Sequence, residues 1–268
     1  MTSLAQAGAA MLGGELARAV PLGGGSLSEI VHIWLTDGRE AVVKGGPAPE
    51  AEASMLRAIA ASGAPAPAVL AASGEALVLE AVPADGSLGP AWADLGAVAA
   101  RLHSAKGHAY GWERDYAFGA LAIPNGWADS WPQFWAERRL LPHCPYIAPA
   151  VARRVEALAA RLADRLPARP AAALLHGDLW GGNVLVSGNR VSALIDPACY
   201  YGHAEVDIAM LELFDAPMPA FYQIYGALEP GHEERRAIYR LWPALVHLRL
   251  FDNSYKGLVS RLLSSAQA

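Results

Sequence analysis

The sequence of 268 residues has few cysteines and no excess of positive charge. Asp and Glu (26) outnumber Lys and Arg (21), which leaves a net charge of −5. Proteins that bind nucleic acids or anionic membranes usually have a basic excess, so the composition argues against both kinds of partner. The two cysteines, Cys144 and Cys199, are too few for a disulfide framework and are typical of a reducing compartment.

The sequence also lacks an uninterrupted run of about 18 apolar residues, so we expect no membrane span. Residues 1–12 are apolar but lack the positively charged start of a signal peptide, and their spacing predicts an amphipathic helix. No internal repeat is evident. These absences predict a soluble, cytoplasmic protein, which we expect to be a monomer.

Apolar residues are plentiful in the sequence, at 53% of the total. The length of the chain suits two domains or two lobes of one domain. Residues 30–35 and 41–44 are runs of β-forming residues at hairpin distance. Residues 50–61 have a helical pattern, and residues 77–82 form another strand candidate. We therefore predict a first lobe over residues 1–82, with an antiparallel sheet and a helix.

Residues 83–268 are predicted to form a larger, mainly helical lobe. A period of 3.6 residues appears around Leu95, over residues 151–166 and over residues 233–250. Residues 173–195 differ, because they contain two short apolar runs joined by a Ser-Gly-Asn-Arg turn. A hairpin flanked by acidic residues inside a helical lobe indicates a functional site, and the fold class expected is α+β.

The most informative segment is His-Gly-Asp-Leu-Trp-Gly-Gly-Asn at residues 176–183, followed by Ile-Asp-Pro at residues 195–197. Asp178 opens a polar loop, Asn183 immediately precedes a strand, and the hairpin brings Asp196 back beside Asn183. One carboxylate can then meet a hydroxyl nucleophile, while an amide oxygen and a second carboxylate share Mg²⁺. Kinase-type phosphoryl transfer divides the work in this way. The alternative is an acidic hairpin with a helix-capping Asp and a turn Asn.

This segment resembles the fructosamine-3-kinase (ketosamine kinase) family, within the aminoglycoside phosphotransferase and protein-kinase-like superfamily. Trp180 separates it from most aminoglycoside and choline kinases. The stretches Tyr-Tyr-Gly-His-Ala-Glu-Val-Asp at residues 200–207 and Trp-Ala-Asp-Ser-Trp-Pro-Gln-Phe-Trp at residues 127–135 also resemble that family, as does Arg-Arg-Leu at residues 138–140. The resemblance implies a two-lobed, protein-kinase-like fold, with ATP and Mg²⁺ as cofactors.

The resemblance also implies roles for the residues of the motif. Asp178 would be the catalytic aspartate, which orients the substrate hydroxyl and accepts its proton. Asn183 and Asp196 would hold Mg²⁺. His176 would be a structural member of the loop, and Asp207 would support the loop by hydrogen bonds.

Lys44 ends an apolar strand, as the phosphate-binding lysine of these kinases does. Its partner should come from the next helix, where Glu50 and Glu52 both qualify; we prefer Glu52, whose spacing to Leu56 resembles that of the family's helix glutamate. A lysine at a strand end and a glutamate on a helix are ordinarily solvated surface residues. Only their order relative to the glycine-rich turn and to Asp178 favours the nucleotide site.

The remaining nucleotide contacts are implied for a glycine-rich turn and for the connection between the lobes. Gly24, Gly25 and Ser26 would cover the ATP phosphates with backbone N–H groups. The Glu80 carbonyl and the Val82 N–H would meet the adenine edge. Many family members have Cys at the position of Ser26, so we expect no thiol-based link in this chain.

The substrate pocket is the least determined part of the site. Its candidate residues, each of which could instead be core or rim, are Trp180, His203, Glu205, Trp242 and His247. Arg249 and Asp252 replace the Asn and Gly of a His-Leu-Asn-x-Phe-Gly stretch in the family, and this change could alter the substrate preference.

Three functions are compatible with these sequence features. The first is phosphorylation of the O3 hydroxyl of a ketosamine, such as a fructosamine or ribulosamine, which leads to deglycation. The second is an aminoglycoside or other amino-alcohol phosphotransferase, since a fold alone does not fix a substrate. The third is a nucleotide-binding pseudokinase, which the presence of Lys44, Asp178, Asn183 and Asp196 disfavours. A metal hydrolase lacks ligands, because the eight histidines include no His-x-x-x-His pair.

Overall fold

The protein is described here from a computed structural model that covers residues 3–23 and 28–267, without the side chains of Asp252 and Asn253. Five strands in this part of the chain form an antiparallel sheet with the order β1-β2-β3-β5-β4. They are β1 (Leu16–Pro21), β2 (Ile30–Leu35), β3 (Glu40–Lys44), β4 (Val69–Ala72) and β5 (Leu77–Leu79). The predicted strand at residues 77–82 is shorter in the structure, because only Glu80 continues the backbone pairing beyond Leu79, through its N–H to the Ala68 carbonyl (2.9 Å).

The two faces of the sheet are covered by two helices. Strand β2 buries Val31 and alternate residues after it against helix α1 (Ser3–Met11), the amphipathic helix that the sequence predicts. Helix α2 (Pro49–Ala61) packs Leu56 against β5 on the other side. Met55 of α2 reaches the helical part of the protein, where its sulfur accepts the Cys199 N–H (3.3 Å). Helix α2 therefore belongs to two cores.

The rest of the chain is mainly helical, which confirms the predicted α+β class. Its α-helices are α3 (Leu88–Ser104), α4 (Trp131–Phe134), α5 (Pro149–Ala159), α6 (Glu205–Phe214), α7 (Pro219–Tyr225), α8 (His232–Leu250) and α9 (Lys256–Ser265). The helix predicted at residues 151–166 ends at Ala159 and is followed by a short 3-10 turn, Leu162–Asp164. None of the helices in the described residues is both long and apolar enough to cross a membrane. The boundary between residues 82 and 83 stays a prediction.

Three short antiparallel strand pairs lie within this helical part. They are β6 (Tyr116–Phe118) with β7 (Leu121–Ile123), β8 (Ala173–Leu175) with β11 (Tyr200–Gly202), and β9 (Val184–Ser187) with β10 (Arg190–Leu194). The register of the last pair places Leu194 opposite Val184. The Ile195 N–H donates to the Asn183 carbonyl (3.0 Å), so the hairpin returns Asp196 beside Asn183, as its sequence predicts.

A helical turn of π type (Trp135–Leu140) extends α4 and places Arg139 in the centre of the helical core. The Arg139 side chain is fully buried (0% exposed). Its guanidinium donates to the Pro124 carbonyl (2.7 Å) and to Asn125 Oδ1 (2.7 Å), and it stacks on the Tyr200 ring at 4.0 Å. Burial shifts the pKa of Arg139 downward. The core around it is rich in aromatic rings.

Candidate active site

A cleft of about 500 Å³ lies where the sheet, α2, the β6–β7 hairpin and the helical part of the chain meet. It brings together Lys44, Glu52, Asp178, Asn183 and Asp196, five residues that the sequence predicts to act on the nucleotide or the acceptor. The first and the last of them, Lys44 and Asp196, are 152 residues apart in the chain. The cleft is therefore the candidate active site.

Asp178 lies in the loop between β8 and β9. Its carboxylate Oδ2 accepts a hydrogen bond from Asn183 Nδ2 (2.9 Å), which also donates to the Asp178 backbone carbonyl (2.8 Å). Burial, with the negative charges of Asp196 and Asp207, raises the pKa of Asp178 to about 7, against the opposing effect of Asn183. A carboxyl with this pKa, held in one orientation, can accept a proton near neutral pH.

Asp207 of α6 holds the Asp178 loop by hydrogen bonds to its backbone. The backbone N–H groups of His176 and Gly177 donate to the two Asp207 carboxylate oxygens (2.7 and 2.9 Å), and His103 Nε2 lies 3.0 Å from the same carboxylate. Gly177 has φ +80°, and a Cβ there would lie 2.0 Å from the Ala198 carbonyl oxygen. No other residue fits this position, so the glycine of the motif is a steric requirement.

His176 joins the loop to the end of β10. Its ring is fully buried; Nε2 donates to the Ile195 carbonyl (3.0 Å), and Nδ1 accepts the Asp178 N–H (3.3 Å). Burial lowers the pKa of His176, so the ring is neutral and both contacts persist at neutral pH. Asp196, which follows Ile195, has a backbone φ of +53°. This conformation is rare for a residue with a Cβ and occurs at functional sites.

Lys44 makes two ion pairs across the cleft. Its Nζ donates to Glu52 Oε1 of α2 (2.8 Å) and to Asp196 Oδ1 (2.6 Å). Burial opposes the charged form of Lys44, but the two carboxylates outweigh it, so the pKa of Lys44 is raised. Glu50, the alternative partner, instead lies 3.6 Å from Arg114 at the surface. The structure thus distinguishes the two glutamates.

The other end of the cleft has an aromatic wall, formed by side chains of α6, α8 and the chain that follows α8. His247 is central to it: its ring centroid lies 4.9 Å from Phe214, 5.4 Å from Phe251 and 4.9 Å from Tyr255. Trp180 also lines this wall and is 40% exposed. His247 Nδ1 donates a hydrogen bond to the Pro243 carbonyl (2.8 Å), and burial lowers the pKa of His247. In the neutral ring, Nε2 is therefore an acceptor. Trp180 and His247 therefore both line the cleft, and their role in binding a substrate stays a prediction.

Three other predicted substrate residues do not line the cleft. Glu205 accepts two hydrogen bonds from Arg235 (2.6 and 2.8 Å), and His203 Nδ1 accepts from the Tyr239 hydroxyl (2.8 Å). Trp242 is buried against Arg139. The structure thus places His203, Glu205 and Trp242 away from the cleft, in contact with neighbours in the helical core, and their role in substrate binding stays a prediction.

The predicted contacts to the adenine edge and phosphates have a different outcome. Glu80 is exposed and Val82 half-buried, and neither lines the cleft within the described part of the chain. Gly24, Gly25 and Ser26 lie outside the described residues. All five assignments remain predictions.

Sequence reasoning missed the β6–β7 hairpin, from which Tyr116 and Phe118 line the cleft. The Tyr116 hydroxyl donates to Glu52 Oε2 (3.3 Å), and burial raises the pKa of Tyr116 further above neutrality. The one local signal was the alternation of aromatic residues at positions 116 and 118 before Gly119. Strands of three residues are too short to be predicted from periodicity.

Comparison with known proteins decides the family. Residues 16–267 match the family model of fructosamine kinase. The chain belongs to the fructosamine kinase family. The matched region includes both the sheet and the helical part, and the motif of the Asp178 loop lies within it.

Curated members of the fructosamine kinase family align with only part of this chain. A Synechocystis protein assigned as a ketoamine kinase is 40% identical over 189 residues, which cover 64% of this chain and 61% of the relative. A protein-ribulosamine 3-kinase of Arabidopsis thaliana, described as chloroplastic, is 33% identical over 178 residues, 62% of this chain and 54% of the relative. The aligned part spans less than two thirds of either relative.

Solved structures match the whole chain. A crystal structure from Thermobifida fusca, described as a fructosamine-3-kinase, has 29% identity and a TM-score of 0.89, and covers 99% of this chain and 98% of its own. A macrolide 2′-phosphotransferase from Brachybacterium faecium has 20% identity, a TM-score of 0.66 and 98% coverage of both chains. These matches confirm the predicted protein-kinase-like fold.

The residues of this fructosamine kinase family member also fit a hard divalent cation. Asn183 Oδ1 accepts no hydrogen bond from the described residues, and Asp196 uses only Oδ1 for Lys44. The Asp196 side chain is 38% exposed, at the cleft. One amide and one carboxylate oxygen are suitable ligands for Mg²⁺, which retains several waters or phosphate oxygens in kinase sites.

Proposed function

We propose that this protein is an ATP-dependent kinase that phosphorylates the O3 hydroxyl of ketosamines such as fructosamines or ribulosamines. The observation that supports this most directly is the arrangement of one cleft. Lys44 is paired with both Glu52 and Asp196, and it faces the Asp178–Asn183 pair. These are the groups needed to bind a nucleoside triphosphate and to accept a proton from an attacking hydroxyl.

Asp178 is the residue that acts on the nucleophile. Its carboxylate orients the sugar hydroxyl and accepts its proton while the hydroxyl oxygen bonds to the γ-phosphorus and the bond to the bridging oxygen breaks. Asn183 holds Asp178 by two hydrogen bonds, so the carboxylate does not have to reorganise during the reaction.

Lys44 positions the phosphates, and Glu52 keeps the Lys44 ammonium in place. Asn183 and Asp196 would hold Mg²⁺, which neutralises negative charge on the phosphate oxygens when it is bound. Asp196 is thereby shared between the ammonium of Lys44 and a cation. This sharing explains why a buried lysine has two carboxylate partners.

The aromatic wall favours a ketosamine over a polycationic aminoglycoside. Aminoglycosides need several carboxylates, whereas the walls around Trp180 and His247 are mainly aromatic and apolar. Aromatic faces suit the apolar face of a sugar and a single ammonium group. The assignments of the two curated relatives as ketoamine and ribulosamine kinases support the same substrate class.

Phosphorylation at O3 would make the sugar–amine adduct unstable and release the amine. The biological role proposed is therefore deglycation, the repair of amines modified by sugars. The partner would be a small-molecule or protein-bound ketosamine.

An ATP-consumption assay tests the substrate. It compares ribulose-, psicose- and fructose-lysine with kanamycin and choline. We expect turnover with at least one ketosamine and little with kanamycin or choline. Efficient kanamycin turnover without ketosamine turnover would reverse the order of the two kinase functions.

Thermal shift tests the nucleotide site separately. ATP with Mg²⁺ should raise the melting temperature by mass action, and Lys44→Ala or Asp196→Ala should remove most of that rise. A pseudokinase would show the shift without turnover of any acceptor. An undiminished shift in both variants would refute the proposed nucleotide site.

A further inference from the structure

A contact between the two halves of the cleft has no role in the proposed chemistry. Tyr116, on the β6–β7 hairpin of the helical part, donates its hydroxyl to Glu52 Oε2 of α2 (3.3 Å). The other oxygen of the same carboxylate accepts from Lys44 (2.8 Å). Glu52 is only 5% exposed. Its two carboxylate oxygens bond to two different partners, Lys44 of the sheet and Tyr116 of the helical part.

From this geometry we infer that Tyr116 is a positioning residue, which sets the Glu52 carboxylate and through it Lys44. The inference rests on the proposed function and extends it, because it makes nucleotide affinity depend on a hairpin that also lines the cleft. In protein kinases the Lys–Glu ion pair must be in place for activity, and the position of the helix controls it. Here a phenol hydroxyl, in addition to the lysine, defines where the glutamate lies.

The surroundings of Glu52 show why a hydrogen bond from Tyr116 is useful for positioning it. Farther along α2, Met55 and Ile59 are buried in the helical core, which anchors that part of the helix. Among the described residues, the first turn has no comparable apolar anchor in the helical part: Glu50 contacts Arg114 only at the surface (3.6 Å), where an ion pair is weak. The partly buried hydrogen bond from the Tyr116 hydroxyl is the contact by which the helical part holds the glutamate of this turn.

Tyr116 is well placed for this role because its ring is itself held. It packs edge-on against Phe118 (5.9 Å between centroids) on the same strand, and β6 pairs with β7 along Tyr116–Phe118. The hydroxyl therefore approaches Glu52 from a paired strand. A freely rotating side chain would lose more entropy in making the same contact.

The chain offers a matched control for loss of a tyrosine–glutamate hydrogen bond. The Tyr222 hydroxyl donates to Glu212 Oε1 (2.7 Å), and Glu212 is also paired with Arg240 (2.8 Å). This trio of a phenol, a carboxylate and a cation resembles Tyr116, Glu52 and Lys44, but it does not line the cleft. Tyr222→Phe therefore makes the same chemical change away from the nucleotide site.

The experiment measures AMP-PNP binding in the presence of Mg²⁺ by calorimetry for the full chain, Tyr116→Phe, Glu52→Gln and the double variant. Tyr116→Phe keeps the ring, and we expect it to raise the Kd roughly 3- to 10-fold, the range for one hydrogen bond. In the Glu52→Gln background the same change should have a smaller effect, since interacting residues are not additive. Tyr222→Phe should leave the Kd unchanged.

Unfolding by urea without nucleotide provides a second readout. Tyr116→Phe and Glu52→Gln should be coupled in the free energy of unfolding, whereas mere ring packing would give additive effects. Normal AMP-PNP binding by Tyr116→Phe would overturn this inference and leave the proposed function untouched. Additive effects of the two substitutions on both the AMP-PNP affinity and the free energy of unfolding would do the same. If the unaltered protein binds no AMP-PNP, the proposed function fails, and this inference fails with it.

Discussion

Two buried cations, one in the cleft and one in the helical core, have very different surroundings in this protein. Lys44 lies between two carboxylates, and one of these, Asp196, is partly exposed to the cleft. Arg139 lies between neutral carbonyl and amide oxygens and the rings of Phe134, Tyr200 and Trp242. The pKa of Lys44 is raised and that of Arg139 is lowered.

The difference between the partners of Lys44 and those of Arg139 indicates which of the two cations a ligand can reach. A carboxylate that is partly exposed can exchange one partner for another, so the ion pairs of Lys44 are open to competition from phosphate and a metal ion. Arg139 itself is fully buried, and its guanidinium hydrogen bonds go to oxygen atoms of the protein, away from the cleft. We therefore expect substitutions in the cleft to change function and substitutions around Arg139 to change stability.

The largest effect should come from Asp178→Asn. The amide keeps the shape but cannot accept the proton, so kcat should fall roughly 10²-fold or more. The affinity for AMP-PNP should stay nearly unchanged, because the loss concerns an interaction made in the transition state. Steady-state kinetics and calorimetry measure both. Asp164→Asn, on an exposed turn, is the control, and near-normal turnover in folded Asp178→Asn would show that Asp178 is not the base.

The opposite pattern is expected for Arg139→Ala. The change removes hydrogen bonds to Pro124 and Asn125, leaves a cavity among aromatic rings, and should lower the free energy of unfolding by about 3–5 kcal/mol. Urea unfolding measures this, and kcat per folded molecule should be preserved. Arg153→Ala, at an exposed position of α5, should change stability by less than about 0.5 kcal/mol. Equal stability of the two variants would remove the contrast between cleft and core.

The raised pKa of Asp178 predicts two pH effects. The kcat/KM of the unaltered protein, which reports the pKa of the free protein, should fall as the pH drops through about 7, because the protonated carboxyl cannot accept a proton. In the folded protein this pKa lies above its value in the unfolded chain. Its contribution to stability is therefore present at low pH and is lost as the pH rises through about 7.

Asp178→Asn removes that pH-dependent contribution. Relative to the unaltered protein, the nucleotide-free variant should gain roughly 2–3 kcal/mol of stability between pH 5 and pH 8.5. Thermal unfolding at both pH values measures this. A difference in stability that does not change with pH would mean that Asp178 is ionised throughout and that its burial is compensated.

The smallest effect separates two neighbouring glutamates. Glu52→Gln weakens a buried ion pair with Lys44 and should raise the Kd for AMP-PNP about tenfold. Glu50→Gln affects only the exposed contact with Arg114 and should change the Kd less than about twofold. Calorimetry of the two variants under one condition is sufficient. Equal effects would mean that the position of Glu52 beside Lys44 has no role in binding the nucleotide.

The Asp178 loop and its hairpin were predictable because their constraints are local. Gly177 must be glycine, since its φ is positive and the Ala198 carbonyl is close. The turn between β9 and β10 fixes the distance from Asn183 to Asp196, so their meeting follows from the sequence. Lys44 and Glu52 were also predictable, because their order along a strand and the next helix fixes which elements they occupy.

The substrate end could not be predicted in the same way. His203, Glu205 and Trp242 are as polar or as aromatic as Trp180 and His247, and nothing local distinguishes them. Which of them faces the cleft depends on how α6 and α8 pack, and on partners such as Arg235 and Tyr239 that lie about 30 residues or more away in the chain.

By itself, the sequence determined the α+β class, the motif of the Asp178 loop, and the strand and helix that carry Lys44 and its glutamate partner, because alternation, helical period and tight turns act over a few residues. Only the tertiary structure decided that Tyr116 reaches Glu52, that His247 lies in an aromatic wall, and that Arg139 is buried without a carboxylate. These contacts join segments far apart in the chain. They form only when the sheet, the short hairpins and the helices pack together, and that packing leaves no pattern in any one segment.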